Sequence, residues 1–182
     1  EAKAPGVVAG LAWTQAGGEI LFIETLLTEG SGKVVITGQL GDVMKESVQI
    51  ALSLVKSMFP EKAELFAHHD LHLHVPAGAV PKDGPSAGIT LTTALASLVT
   101  GTAVNPEYAM TGEVSLRGVI MPIGGLPEKL MAAQRAGVKQ VFIPEENQDD
   151  LVDVAEEVKA SLKIVPVHYV KEVLEQTGIL SS

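Results

Sequence analysis

At 182 residues with 46% hydrophobic side chains, the chain suits one domain with a substantial core, and it is too apolar for a disordered segment. Its 22 acidic against 13 basic side chains leave a net charge of −9, the wrong sign for broad binding to phosphate backbones, so nucleic acid is not an expected partner. There is no cysteine, which excludes disulfides, thiolate metal sites and a cysteine nucleophile, and which is compatible with a reducing, cytoplasmic setting.

The first residues, Glu-Ala-Lys-Ala-Pro-Gly, lack the pattern of a secretory signal. Residues 7–13, 20–27 and 33–39 read as strands, with turns at Ala16-Gly17-Gly18 and Thr28-Glu29-Gly30-Ser31-Gly32, which predicts an antiparallel meander. Gly41-Asp42 opens a helix with Asp42 as its N-cap; Val43, Ser47, Ile50, Ala51, Leu54, Val55 and Met58 share one face, and Pro60 ends it. In the strand over 71–75, His72 and His74 alternate with Leu71, Leu73 and Val75. Residues 76–85 form a specified loop, and 86–100 a nearly all-apolar, hence buried, helix. The apolar run 89–104 is broken by threonines and Gly101 and is too short to span a bilayer, so no membrane is expected.

Short strands are predicted over 108–114 and 119–123. Gly124-Gly125 then leads into a helix over 126–135, with Pro127 in its first turn and Gly137 past its end. The rest alternates: strand 140–143, helix 147–157, strand 163–167, helix 170–176. Antiparallel strands followed by mixed strands and helices predict an α+β fold. No repeat or long linker divides the chain, so residues 1–182 are expected to be one domain, and the lack of an initiator methionine suggests a fragment of something longer.

Chemistry centres on Gly84-Pro85-Ser86-Ala87-Gly88. A serine where a loop becomes a helix sits among free backbone N–H groups that could hold an oxyanion, or it is simply an N-cap. The letters read Gly-x-Ser-x-Gly, but residues 76–85 separate Ser86 from the preceding strand, and only His168 follows as a candidate base for a triad. Lys129 is the other candidate base. A helix N-terminus disfavours its charge and burial would disfavour it further; the alternative is a surface lysine. The cluster His68-His69-x-x-His72-x-His74 raises a metal site, but one strand delivers at most two ligands to a point. No Gly-x-x-x-x-Gly-Lys-Ser/Thr loop is present, so ATP hydrolysis by that route is excluded.

The stretches Gly10-Leu11-Ala12-Trp13-Thr14, 37–47 (Thr-Gly-Gln-Leu-Gly-Asp-Val-Met-Lys-Glu-Ser), His72-Leu73-His74-Val75-Pro76, 81–88 (Pro-Lys-Asp-Gly-Pro-Ser-Ala-Gly), 110–118 (Met-Thr-Gly-Glu-Val-Ser-Leu-Arg-Gly) and 122–129 (Pro-Ile-Gly-Gly-Leu-Pro-Glu-Lys) occur in this order along the chain. Together they resemble the proteolytic domain of the Lon family of ATP-dependent Ser-Lys proteases, in its bacterial and mitochondrial form. The resemblance implies Ser86 as nucleophile, Lys129 as general base, Thr111 as the hydroxyl that orients the lysine and Asp83 as a residue that shapes the serine loop. It places Glu24, His72, His74 and Glu113 in the neighbourhood of the site. Ala77 departs from the family, which often has an acid there. The resemblance further implies polypeptide substrates, unfolded or regulatory, a homo-hexameric ring and no cofactor in this domain. ATP and Mg2+ would belong to an AAA+ module that, like the family's N-terminal region, lies outside this sequence.

Overall fold

The computed structural model describes residues 4–76 and 84–181. Val7–Thr14 (β1) and Gly17–Glu29 (β2) pair antiparallel, from Val7 opposite Glu24 to Thr14 opposite Gly17. The Thr14 side chain closes the turn, donating to the Gly17 carbonyl and accepting from the Ala16 N–H. At thirteen residues β2 outruns β1, and its second half pairs antiparallel with His69–His74 (β4).

The third strand of the expected meander lies elsewhere. Val34–Thr37 (β3) pairs with β4, in parallel, so β4 separates it from β2. The cause is Asp70, whose Oδ1 accepts the N–H groups of Ser31, Gly32 and Lys33 at 3.0, 3.2 and 2.9 Å. Three donors on one carboxylate oxygen bend the chain away from β2, and these bonds, Lys33's first, hold the Asp70 carboxyl below its ordinary pKa.

One seven-stranded sheet results, in the order β3, β4, β2, β1, Tyr108–Met110 (β5), Gln140–Pro144 (β8), Lys163–Val167 (β9). The strands β1, β5, β8 and β9 run parallel. Their side chains alternate between two cores. Val8, Met110 and Phe142 join the core built with the helices Asp42–Met58 (α1), Gly88–Thr100 (α3) and Val170–Gln176 (α6). Ala9, Leu11, Ala109, Val141 and Ile143 join the one under Leu126–Arg135 (α4) and Glu156–Ser161 (α5). A mixed sheet with helices on both faces agrees with the α+β class expected from the sequence. A short helix, Ala63–Ala67 (α2), precedes β4.

In α1, Gly41 is the N-cap and Asp42 the first helical residue, where its charge still favours the helix dipole. The buried face is turned from the expected one. It holds Met44, Val48 and Leu52 with Ser47, Ala51, Leu54 and Val55, while Val43 is exposed. Helix α1 packs against α3, which is itself buried nearly all round. The buried hydroxyls of α3 are all paired: Thr92 and Thr93 donate to the carbonyls of Gly88 and Ile89, four residues back, while Thr90 donates to the Met110 carbonyl and Ser97 accepts from the Gly6 N–H.

Two further expectations change. The strand predicted over 108–114 breaks at Thr111-Gly112, and Glu113–Val114 (β6) pairs instead with Ile120–Met121 (β7) in a small separate sheet. The helix predicted over 147–157 is a 3-10 stretch, Glu145–Asp153, followed by α5.

Helix α4 lies directly on β2. A Cβ built on Gly18 would fall 2.1 Å from the Glu128 carbonyl oxygen, so no larger residue fits without separating the two. Gly18→Ala should lower the urea midpoint by the equivalent of about 1–3 kcal/mol, the usual range for overpacking. An unchanged midpoint would show that the contact is loose.

Candidate active site

Helix α3 begins at Gly88 and its N-cap is Ala87, so Ser86 sits in the turn before the helix and does not cap it. Two helix-start N–H groups are already taken: Gly88 donates to the Pro85 carbonyl at 3.2 Å and Ile89 to the Gly112 carbonyl at 2.9 Å. These two amides are therefore not free for an oxyanion, contrary to the simple helix-start argument. In return the Gly112 N–H donates to the Ser86 carbonyl at 2.9 Å. This reciprocal pair fastens the serine turn to the break between β5 and β6.

Thr111, the residue before Gly112, is fully buried, and its hydroxyl accepts a hydrogen bond from the Lys129 Nζ at 3.1 Å. One short piece of backbone thus anchors both the serine turn and the lysine. Lys129 is only 2% exposed because of its place on α4. Leu126, Lys129, Leu130 and Ala133 fall at i, i+3, i+4 and i+7, the stripe that faces the core. The three apolar members of that stripe pack with Leu11 and Ala109 of β1 and β5.

The start of α4 is fixed by Gly125, in the left-handed region with φ 71°, whose carbonyl accepts the Lys129 N–H at 3.0 Å. Trp13 closes over Gly125, where an added Cβ would come within 2.8 Å of the indole Cδ1. Ser86 and Lys129 both line one cleft of about 660 Å³, whose walls include Trp13, Ile123, Glu113 and Glu128. A neutral amine and a hydroxyl in one cleft can exchange a proton and act on an electrophile; a charged amine cannot begin that exchange.

Desolvation pulls the Lys129 pKa from 10.5 down to about 8. That difference is roughly 3 kcal/mol against the charged form in the folded chain. Below about pH 8 the amine is charged both folded and unfolded, and the native state carries the full penalty. Between about 8 and 10.5 the unfolded chain holds the extra proton, so this group makes stability rise with pH across that window.

The other sequence candidates divide. Glu113 lines the same cleft. Glu24, His72 and His74 line a second hollow of about 380 Å³ with Thr25, Leu26 and Thr37. There the Thr37 hydroxyl bonds His72 Nε2 at 3.0 Å and His74 Nδ1 at 2.6 Å. Asp83 and Ala77 lie outside the described residues. The remaining histidines are engaged away from the cleft: His68 with Glu64, His69 with the Leu65 carbonyl and His168 with Glu145. Among the described residues no three histidine, aspartate or glutamate side chains come together as metal ligands.

Sequence reasoning passed over Asn147, which is 3% exposed. Its amide bonds both backbone groups of Ile123 in the cleft wall. For Lys129 a signal was available: it completes the i, i+3, i+4, i+7 pattern of an otherwise apolar stripe, which an exposed lysine would not do.

The sequence profile of the Lon protease (S16) C-terminal proteolytic domain matches residues 1–179. A Lon protease of Clostridium beijerinckii is 62% identical over 173 residues, covering 95% of this chain and 22% of that protein. Lon proteases of Methanosarcina barkeri and Brucella suis are 56% and 55% identical, over 94% of this chain and 22% of each protein. The chain therefore spans about a fifth of the length of these curated relatives, at 22%.

Replacing Lys129 with methionine keeps the apolar stem and removes the titrating group. Lys129→Met should be more stable than the parent at pH 7, by roughly 1–3 kcal/mol after allowing for the partner that Thr111 loses. The gain should shrink as pH rises from about 8 to 10.5. Urea midpoints of the two chains across that range provide the measurement; a gain that does not change with pH would contradict a depressed lysine.

Proposed function

This chain belongs to the family of Lon protease C-terminal proteolytic domains, and from that membership we propose that it is a serine endopeptidase with Ser86 as nucleophile and Lys129 as general base. The observation that carries the reading is the buried Lys129 amine, depressed to about 8 by desolvation and opening on the cleft that Ser86 also lines.

The neutral amine takes the Ser86 Oγ proton as Oγ attacks a peptide carbonyl carbon. The tetrahedral intermediate collapses when the lysine ammonium gives that proton to the leaving amine, and an acyl ester remains on Ser86. Water, deprotonated by the same amine, then attacks the ester; the returning proton restores the serine and frees the acid. The Thr111 hydroxyl keeps Nζ aimed from below. Glu113 and Glu128 add negative charge to the walls. Asp83 shapes the serine loop, as the resemblance implies, and Glu24, His72 and His74, at their separate hollow, are given no step in the reaction.

Substrates lie extended in the cleft and add backbone hydrogen bonds to a strand edge, a mode that tolerates many sequences. The whole assembly is a homo-hexameric, ATP-dependent protease of the cytoplasm that degrades unfolded or regulatory proteins. Residues 1–182 are one proteolytic domain of it, with ATP and Mg2+ handled by a separate AAA+ module. The chain itself uses no cofactor. Anion binding at the start of α3 is a weaker reading, because the Gly88 and Ile89 amides are already paired.

Ser86→Ala and Lys129→Ala should each reduce cleavage of an unstructured peptide at least 1,000-fold, on the order of a lost nucleophile or base. Cleavage by the parent should rise with pH through about 8. Addition of ATP to this chain alone should leave the rate unaltered. Parent-like cleavage by either variant would overturn the assignment.

A further inference from the structure

Between the end of β7 at Met121 and the start of α4 at Leu126 the chain runs through Pro122, Ile123, Gly124 and Gly125, all four lining the cleft. Pro122 fixes its own φ but has no N–H to pair, and Gly124 and Gly125 leave the backbone permissive, so the segment has little anchorage of its own. Asn147 supplies it. Its Oδ1 accepts the Ile123 N–H at 3.0 Å and its Nδ2 donates to the Ile123 carbonyl at 2.9 Å. A side-chain amide here does what a neighbouring strand would do, pairing with both backbone groups of one residue.

The amide cannot turn over. The second Nδ2 hydrogen goes to Asp150 Oδ2 at 2.7 Å. A flipped amide would set oxygen against that carboxylate and NH2 against the Ile123 N–H. Asn147 sits in the 3-10 stretch Glu145–Asp153, which is long for that geometry. An α-helix from Asn147 onward, as the sequence alone suggests, would not be expected to keep this alignment.

We propose that Asn147 is a positioning residue of the cleft, oriented by Asp150, which fixes the Pro122–Gly125 wall and through it the first turn of α4 that carries Lys129. The inference rests on the Ser86–Lys129 reading above. Ile123 is held by Asn147, Gly125 starts α4, and Lys129 reaches Thr111 from that first turn. Misplacing a reacting group by about 1 Å can lower a rate on the order of 100-fold. The titratable groups that share the cleft with Lys129 are Glu113 of β6 and Glu128 of α4, and the variants below leave both unchanged.

The experiment compares Asn147→Ala, Asn147→Asp and Asp150→Ala with the parent and with Ser86→Ala. Each is assayed on a fluorogenic unstructured peptide for kcat, KM and the pH midpoint of the rate. For the parent and the Asn147 and Asp150 variants, rates are expressed per site that reacts with a serine-directed covalent inhibitor, so that loss of folded protein does not count; Ser86→Ala, which has no such site, is expressed per folded chain from its circular dichroism. Asn147→Ala and Asn147→Asp should lose ten-fold or more in kcat. Their midpoints should move to higher pH, because water reaches an amine no longer held in place. Asp150 is exposed, so Asp150→Ala is expected to fold, and it should shift both quantities in the same direction by two- to five-fold in kcat. A purely structural role would lower the number of reactive sites and leave kcat per site and the midpoint where they were. The proposal is overturned if the Asn147 variants match the parent per site within two-fold at an unmoved midpoint, or, should they fail to fold, if Asp150→Ala does so. Cleavage by Ser86→Ala at the parent rate would instead bring down the underlying Ser–Lys reading, and this inference with it.

Discussion

A single amine held out of water is the constraint on which this structure turns. Lys129 occupies a core position of α4, and its Nζ donates to the Thr111 hydroxyl. Placing an ammonium there is costly, and the chain accepts the cost rather than filling the position with leucine. The expense is tolerable because the fold around it is densely apolar. The two cores on either side of the sheet bury Ile89, Leu91, Leu95, Leu130 and Phe142 completely, each worth about 1.5–3 kcal/mol of burial.

The rest of the site is arranged by one interruption in the sheet. Had β5 run on through Thr111 and Gly112 as a regular strand, the carbonyl and N–H of Gly112 would belong to a ladder. Because the strand breaks there, Gly112 bonds Ile89 and Ser86 instead, while Thr111 keeps its own N–H on the Phe142 carbonyl of β8. A rigid sheet therefore sets the lysine's partner and the serine's turn through adjacent residues. Their relative placement depends on hydrogen bonds to two adjacent residues, Thr111 and Gly112. The remaining freedom lies in how α4 is introduced, which is where Gly125, Trp13 and Asn147 act.

The local signals were legible where chain chemistry alone decides the outcome. Helix α4 over 126–135, strand β9 over 163–167 and helix α6 over 170–176 fall where the periodicity and the Pro and Gly punctuation place them. What was not legible came from partners distant in sequence. Asp70 gathers three amides 37–39 residues earlier and thereby inserts β4 beside β2, which no property of residues 28–33 announces. The break at Thr111-Gly112 is made by the serine turn and not by a breaker residue in strong context. Asn147 resembled a helix opener because its true partner, Ile123, lies 24 residues away. The candidate residues Ser86, Lys129 and Glu113 meet at one cleft, whereas Glu24, His72 and His74 gather at another hollow. Proximity along β4 to the serine loop had not distinguished the two.

The 62% identity to a Lon protease along nearly the whole chain makes family membership plain, but it does not say what protonation state the lysine holds. That state is the physical core of the account, since a base that is charged at working pH is no base. It can be observed directly, without substrate, by following the Lys129 Cε and Nζ resonances through a pH titration of selectively labelled protein, assigned by their loss in Lys129→Met. The account predicts a midpoint at about 8. A midpoint at the ordinary lysine value near 10.5 would contradict it, however well the rest of the fold agreed.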